Sequence, residues 1–137
     1  MKKHLLLSDT DFADQFEKAV LPPELFSHEA HLRLAWIHIT RHGEETAVEN
    51  ICTQIAQFDR IHGDGTKFHK TLTVAAIKAV AHFMARSTSD NFQDFIKEFP
   101  RLKHHFRELI AAHYSWDVFV DADAKRSYLP PDLLPFK

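Results

Sequence analysis

Hydrophobic positions recur along this chain mostly at three- and four-residue spacings, the period of an α-helix, and the few glycines and prolines fall between the periodic stretches. Ser8 with Asp11 three residues later suits a capped start for a first helix carrying Phe12, Phe16, Ala19 and Val20, which ends before Pro22-Pro23. Ser27 suits the N-cap of a second helix that stops at Gly43; a third fills Glu44 to His62 and stops at Gly63-Asp64-Gly65. The pattern predicts a fourth helix from about Phe68 to Arg86. A cap region over Ser87-Thr88-Ser89-Asp90 then leads to a short helix through Phe99, Pro100, and a helix over Arg101 to His113. Beyond Tyr114, Asp117-Val118-Phe119-Val120 has a weak strand pattern and Ala122–Lys125 reads as a helical turn. Pro130-Pro131 and Pro135 predict an extended end packed on the body. The expectation is a single all-α domain over residues 1–137, a bundle of about five to six helices with a proline-rich C-terminal tail. Phe12, Phe16, Phe58, Phe83, Phe92, Phe95, Phe99 and Phe106 fall at helical spacings and read as core.

Projecting the second helix at ~100° per residue puts Leu34, His38, His31, His42, Ala35, His28, Ile39, Leu32 and Trp36 on one arc, with Glu29, Thr40, Arg33 and Arg41 opposite. His28 and His31 are thus expected to point inward. In the fourth helix Leu72, Phe83, Ala76, His69, Val80, Thr73, Met84 and Ile77 share an arc, opposite Lys70, Lys78, Thr71, His82 and Arg86. Burying an imidazole without a partner costs roughly 1–3 kcal/mol, so each inward histidine needs a hydrogen bond, a ligand or a metal.

Composition changes this picture little. Forty-five per cent hydrophobic and 26% charged residues are ordinary for a globular domain. A net charge of -2 supplies no field to recruit nucleic acid or an anionic membrane, and no apolar run approaches a membrane span. Eleven histidines would carry the charge from -2 to +9 if all were protonated, so the field depends strongly on pH. Cys52 is the sole cysteine and lies mid-helix beside Ile51 and Ile55, where a buried, inert thiol is expected. It fits a reducing cytoplasm and leaves a disulfide only between copies of the chain; the sequence leaves a homo-oligomer open. Met1-Lys2-Lys3 begins like a signal peptide, but Leu5-Leu6-Leu7 is too short an apolar stretch, which implies a cytoplasmic location.

Short connections make the second, third and fourth helices most simply up, down and up, bringing the starts of the second and fourth to one end. His28, His31, His62 and His69 converge there by topology. His28 and His31, three apart, can grip one ion with His69 as the third nitrogen, leaving an open coordination position; His62 is an alternate ligand or proton shuttle. Thr71 and Thr73 are candidates for contacts to substrate or to the ligating histidines. The donor set suits zinc, nickel, copper or iron, and the scarcity of inward carboxylates disfavours calcium, magnesium and a carboxylate-bridged di-iron centre. His28-Glu29-Ala30-His31 is one residue short of the zinc-protease helix pattern, with Leu32 where its second histidine belongs. His38 and His42 have ligand spacing without a third partner and suit surface or capping roles. Singly, His38, His105 and His113 read as hydrogen-bonded core residues. No glycine loop cradles a phosphate. Two further readings compete with a metal enzyme acting on a small molecule. One is a metal-free module binding a small anion through histidine, threonine and backbone donors. The other is a structural or interaction protein whose aromatic tail docks a partner chain.

Phe26-Ser27-His28-Glu29-Ala30-His31-Leu32 with Ala35-Trp36, Phe68-His69-Lys70-Thr71-Leu72-Thr73, Tyr114-Ser115 and Tyr128-Leu129-Pro130-Pro131-Asp132-Leu133 resemble a group of small, uncharacterised bacterial all-helical proteins. The resemblance covers about Phe26 to Pro135, with Phe68 where the group has tyrosine. It implies a bacterial cytosolic protein and adds weight to His28, His31, His69 and Thr73; it implies no substrate.

Overall fold

The computed structural model describes residues 3–136; Met1, Lys2 and Lys137 lie outside the described residues, and with them part of the basic opening of the chain. Every regular element among the described residues is helical. The α-helices are α1 (Asp9–Glu17), α2 (His28–His42), α3 (Glu44–His62), α4 (Lys70–Met84), α5 (Phe92–Glu98), α6 (Arg101–His104), α7 (Phe106–Ala111) and α8 (Ala122–Arg126). Three-ten turns occupy Lys3–Leu6, Pro23–Leu25 and Val118–Val120.

Local chemistry explains the boundaries. Ser8 Oγ accepts from the Asp11 N–H at 3.1 Å, Ser27 Oγ from Ala30 N–H at 3.2 Å and Asn91 Oδ1 from Asp94 N–H at 2.9 Å, each satisfying a donor at a helix start. Gly43, at φ 88°, passes α2 straight into α3 in a conformation that side chains resist. The helix expected over 101–113 is two helices, α6 and α7, because His105 leaves helical geometry at φ -136°, ψ 40°. The expected strand at 117–120 is a three-ten turn instead: Asp117 Oδ1 accepts from Phe119 N–H at 3.0 Å, a local bond that competes with strand pairing.

The chain divides into two compact units, one ending at Phe68 and one beginning at His69. In the first, α2 and α3 form a helical hairpin with α1 packed on both. Phe16, Phe26 and Phe58 stack at its heart, with ring centroids 4.3 Å (Phe16 to Phe26), 4.8 Å (Phe16 to Phe58) and 5.4 Å (Phe26 to Phe58) apart.

The arc expected to face inward on the second helix is buried at Leu32, Leu34, Ala35, Trp36 and His38, but the histidines toward its two ends are not. His28, His31 and His42 are exposed, whereas Glu29 and Arg33, placed on the outward arc, are buried. The cause is the N-terminal segment, which supplies partners for both. His4, itself buried, donates from Nε2 to Glu29 Oε1 at 2.8 Å. Arg33 donates to the His4 carbonyl at 2.6 Å and the Leu7 carbonyl at 2.8 Å, and through Nε and Nη2 to Asp9 Oδ1 at 3.1 and 2.8 Å. Charged side chains go inward where every donor finds an acceptor.

Asp59, buried near the end of α3, ties down the loop that follows: its Oδ2 accepts the N–H groups of Lys67 and Phe68 at 2.8 and 2.9 Å. This starts α4 two residues later than expected from Phe68. A Cβ on Gly63 would stand 2.5 Å from Asp59 Oδ1 and 3.0 Å from the Asp59 carbonyl oxygen. Gly63→Ala is therefore expected to displace the carboxylate and lower stability by about 1–3 kcal/mol. Urea denaturation checks this, and an unchanged midpoint would show that Asp59 yields freely.

In the second unit Ala75, Ile110, Tyr114, Val118 and Ala124 form a buried core against which Leu72, Phe106, Phe119, Leu129 and Phe136 pack. Phe12, Phe16, Phe58, Phe92 and Phe95 of the expected aromatic core are buried; Phe83, Phe99 and Phe106 are half-buried. Cys52 is buried. No helix among the described residues is long and apolar enough to cross a membrane.

Candidate ligand site

The residues singled out in the sequence fall in both units. His28, His31 and His62 belong to the first, and His69, Thr71 and Thr73 to the second. His31 lies on the ring of Phe26, centroids 3.9 Å apart, and His62 on Phe58 at 4.5 Å; both imidazoles edge the same aromatic cluster. Desolvation against that cluster, then the neighbouring His28, lower the His31 pKa; its ring is nevertheless open to solvent, which screens both effects. His62 donates from Nε2 to the Ala19 carbonyl at 2.6 Å. That bond pins the residue at the end of α1 that turns left-handed, Ala19 at φ 58°.

His69 is engaged on both ring nitrogens. Nε2–H donates to the Val118 carbonyl at 2.8 Å, and Nδ1 accepts the Leu72 N–H at 3.1 Å, so the imidazole caps α4 and is held in one neutral tautomer. Thr73 donates to the His69 carbonyl at 2.7 Å. Thr71, fully buried although placed on the polar arc, donates to the Ser127 carbonyl at 2.8 Å and accepts the Leu129 N–H at 3.0 Å. Thr71 thus fastens the segment after α8 to the start of α4, and His69 fastens the three-ten turn that precedes α8. Among the described residues no three His, Cys, Asp or Glu side chains are grouped to hold a metal ion.

Thr71→Val keeps the shape but removes both bonds and leaves the Ser127 carbonyl and Leu129 N–H unsatisfied. A loss of about 1–3 kcal/mol is expected, with faster hydrogen exchange at Leu129. Unchanged exchange there would show that the segment is held by packing alone.

The C-terminal segment is fastened further along by residues of the α7 end. Tyr114 donates its hydroxyl to the Leu129 carbonyl at 2.7 Å; burial, and secondarily Tyr128, push its pKa above the ordinary phenol value. The Ser115 N–H and hydroxyl both donate to Asp132, holding its carboxyl below the usual range. Buried His113 donates from Nδ1 to the Leu134 carbonyl at 2.7 Å, accepts the Leu133 N–H on its own carbonyl at 3.0 Å, and stacks on Phe136 at 4.0 Å. His113 is thus the hydrogen-bonded core residue expected of it, whereas His105 is exposed and His38 is buried with neither ring nitrogen bonded.

These contacts bring Leu134, Pro135 and Phe136 into the lining of a pocket of about 270 Å³ in the second unit, which Phe83 of α4 and Leu109 of α7 also line. Its polar and charged side chains are His82, Arg101 and His113. No carboxylate among the described residues lines it. Glu98 is held by Ser87 and Ser89, Asp121 by Trp116, and Asp117 lies 3.9 Å from Arg107. The site was not legible in the sequence because His82 fell on the polar arc and Arg101 stood only as the start of a helix. The available signal was the density of cations from Lys97 to Arg107 beside phenylalanines.

Comparison with protein-family models, with curated proteins and with solved structures finds no match.

Proposed function

We propose that this protein is a metal-free module that binds a small anion, and that the ligand occupies the pocket of the second unit. The observation that carries the reading is that pocket's lining: apolar walls with three polar side chains, His82, Arg101 and His113, all cationic or able to become so. A volume of about 270 Å³ lies close to the lower edge of the ~300–1,000 Å³ of small-ligand sites. An anion there meets the Arg101 guanidinium and no carboxylate among the described residues. The engagement of both His69 nitrogens also supports a metal-free reading, since ligation would cost the α4 cap or the bond to Val118.

The rival is the three-histidine metal site of His28, His31 and His69, with zinc, nickel, copper or iron. One experiment separates the two. The melting temperature of the full chain is measured with acetate, benzoate, succinate, phosphate and sulfate, with and without chelator, and then with each metal. A rise of roughly 5 °C with an anion that persists in chelator is the expected result. Stabilisation by metal alone, lost in the His28→Ala/His69→Ala double variant, would overturn it.

A further inference from the structure

Within that reading, on which this inference rests, we infer that the anion is an aromatic monocarboxylate, its ring against Phe83 and Phe136 and its carboxylate on Arg101. Two phenyl rings, Phe83 and Phe136, line the pocket, with Phe136 stacked on the His113 ring at 4.0 Å. A planar apolar body matches such faces better than a hydrated inorganic ion does. At about 30 Å³ for each water-sized group, the volume has room for about nine of them, the scale of a one- or two-ring acid.

The charge points to a monoanion. Among the described residues Arg101 is the one permanent cation of the lining, and no carboxylate among them pairs with it. Its planar guanidinium matches a carboxylate two bonds at a time. His113 has committed its Nδ1 proton to Leu134 and a ring face to Phe136, so when neutral it adds no donor to the lining. A phosphate would lack what usually holds it. The second unit contains no glycine, and the starts of α4 and α5 are closed by His69 and Asn91.

The test is calorimetric titration of the full chain with 2-naphthoate, its neutral amide and inorganic phosphate, repeated on Arg101→Gln, an exposed position where the fold tolerates change. Naphthoate is expected to bind at least about tenfold tighter than the amide. Arg101→Gln should erase about that factor for naphthoate and change the amide by less than about twofold. Saturable phosphate binding without naphthoate binding overturns the aromatic assignment and leaves the anion reading standing. Equal binding of acid and amide, indifferent to Arg101→Gln, overturns both. Absence of saturable naphthoate binding overturns the aromatic assignment alone if another anion raised the melting temperature, and both if none did.

Discussion

Arg33→Met is expected to lower the unfolding free energy by about 3–5 kcal/mol, the range for removing one member of a buried, hydrogen-bonded charge cluster. Arg33 is 4% exposed; its guanidinium reaches Asp9 and the carbonyls of His4 and Leu7, and the guanidinium carbon lies 4.8 Å from the Phe12 ring centroid. Methionine fills the volume of the stem but donates nothing. Asp9, nearly half exposed, can turn to water, whereas the His4 carbonyl keeps no such option where Arg33 now covers it. Arg33→Lys keeps the charge and loses the fork, so a smaller loss is expected. Urea denaturation at pH 7 with an unchanged slope measures both. A loss below about 1 kcal/mol for the methionine variant would show that packing, not the guanidinium, holds the N-terminal turn on α2.

Acidification between pH 6.5 and pH 4 is expected to destabilise the protein through His38, and His38→Leu to remove that part of the loss. The ring is 6% exposed, and neither nitrogen has a hydrogen-bond partner. Burial first, then His42 and Arg41, lower its pKa from 6.5 to about 4. The unfolded chain takes up a proton near pH 6.5 that the folded chain refuses until about pH 4. In that window the unfolded state holds more protons, and stability falls as pH falls. The shift corresponds to at most about 3 kcal/mol. Leucine in its place also removes two unsatisfied buried nitrogens, so the variant should be more stable at pH 7 as well. Unfolding free energies of both proteins at pH 7, 5.5 and 4 decide it. Parallel profiles would mean that solvent reaches the His38 ring as the pH falls.

The helical boundaries were largely legible because caps and punctuation are local: Ser8, Ser27 and Gly43 mark them with side chains or dihedrals a few residues away. The breaks at His105 and Val118 were not. A helical period runs through the first, and apolar alternation at the second hid the Asp117 cap. The candidate site was less legible. Periodicity tells which residues share a face of a helix, not which polar side chains find buried partners, and on α2 Glu29 and Arg33 went inward beside the apolar arc because His4, Leu7 and Asp9 brought matching partners from a distant stretch. On α4, Thr71 went inward for the same reason, toward Ser127 and Leu129.

The all-helical class, the first three long helices and much of the phenylalanine core were thus determined by the sequence alone, through interactions that span one or two turns. Which polar groups are buried, and where a pocket forms, was decided only by the tertiary structure. A buried charge or an imidazole nitrogen is stable or costly according to partners contributed by segments tens of residues away. The pocket itself is lined jointly by the C-terminal segment, held by His113, and by Phe83 and Leu109, residues far apart in the chain.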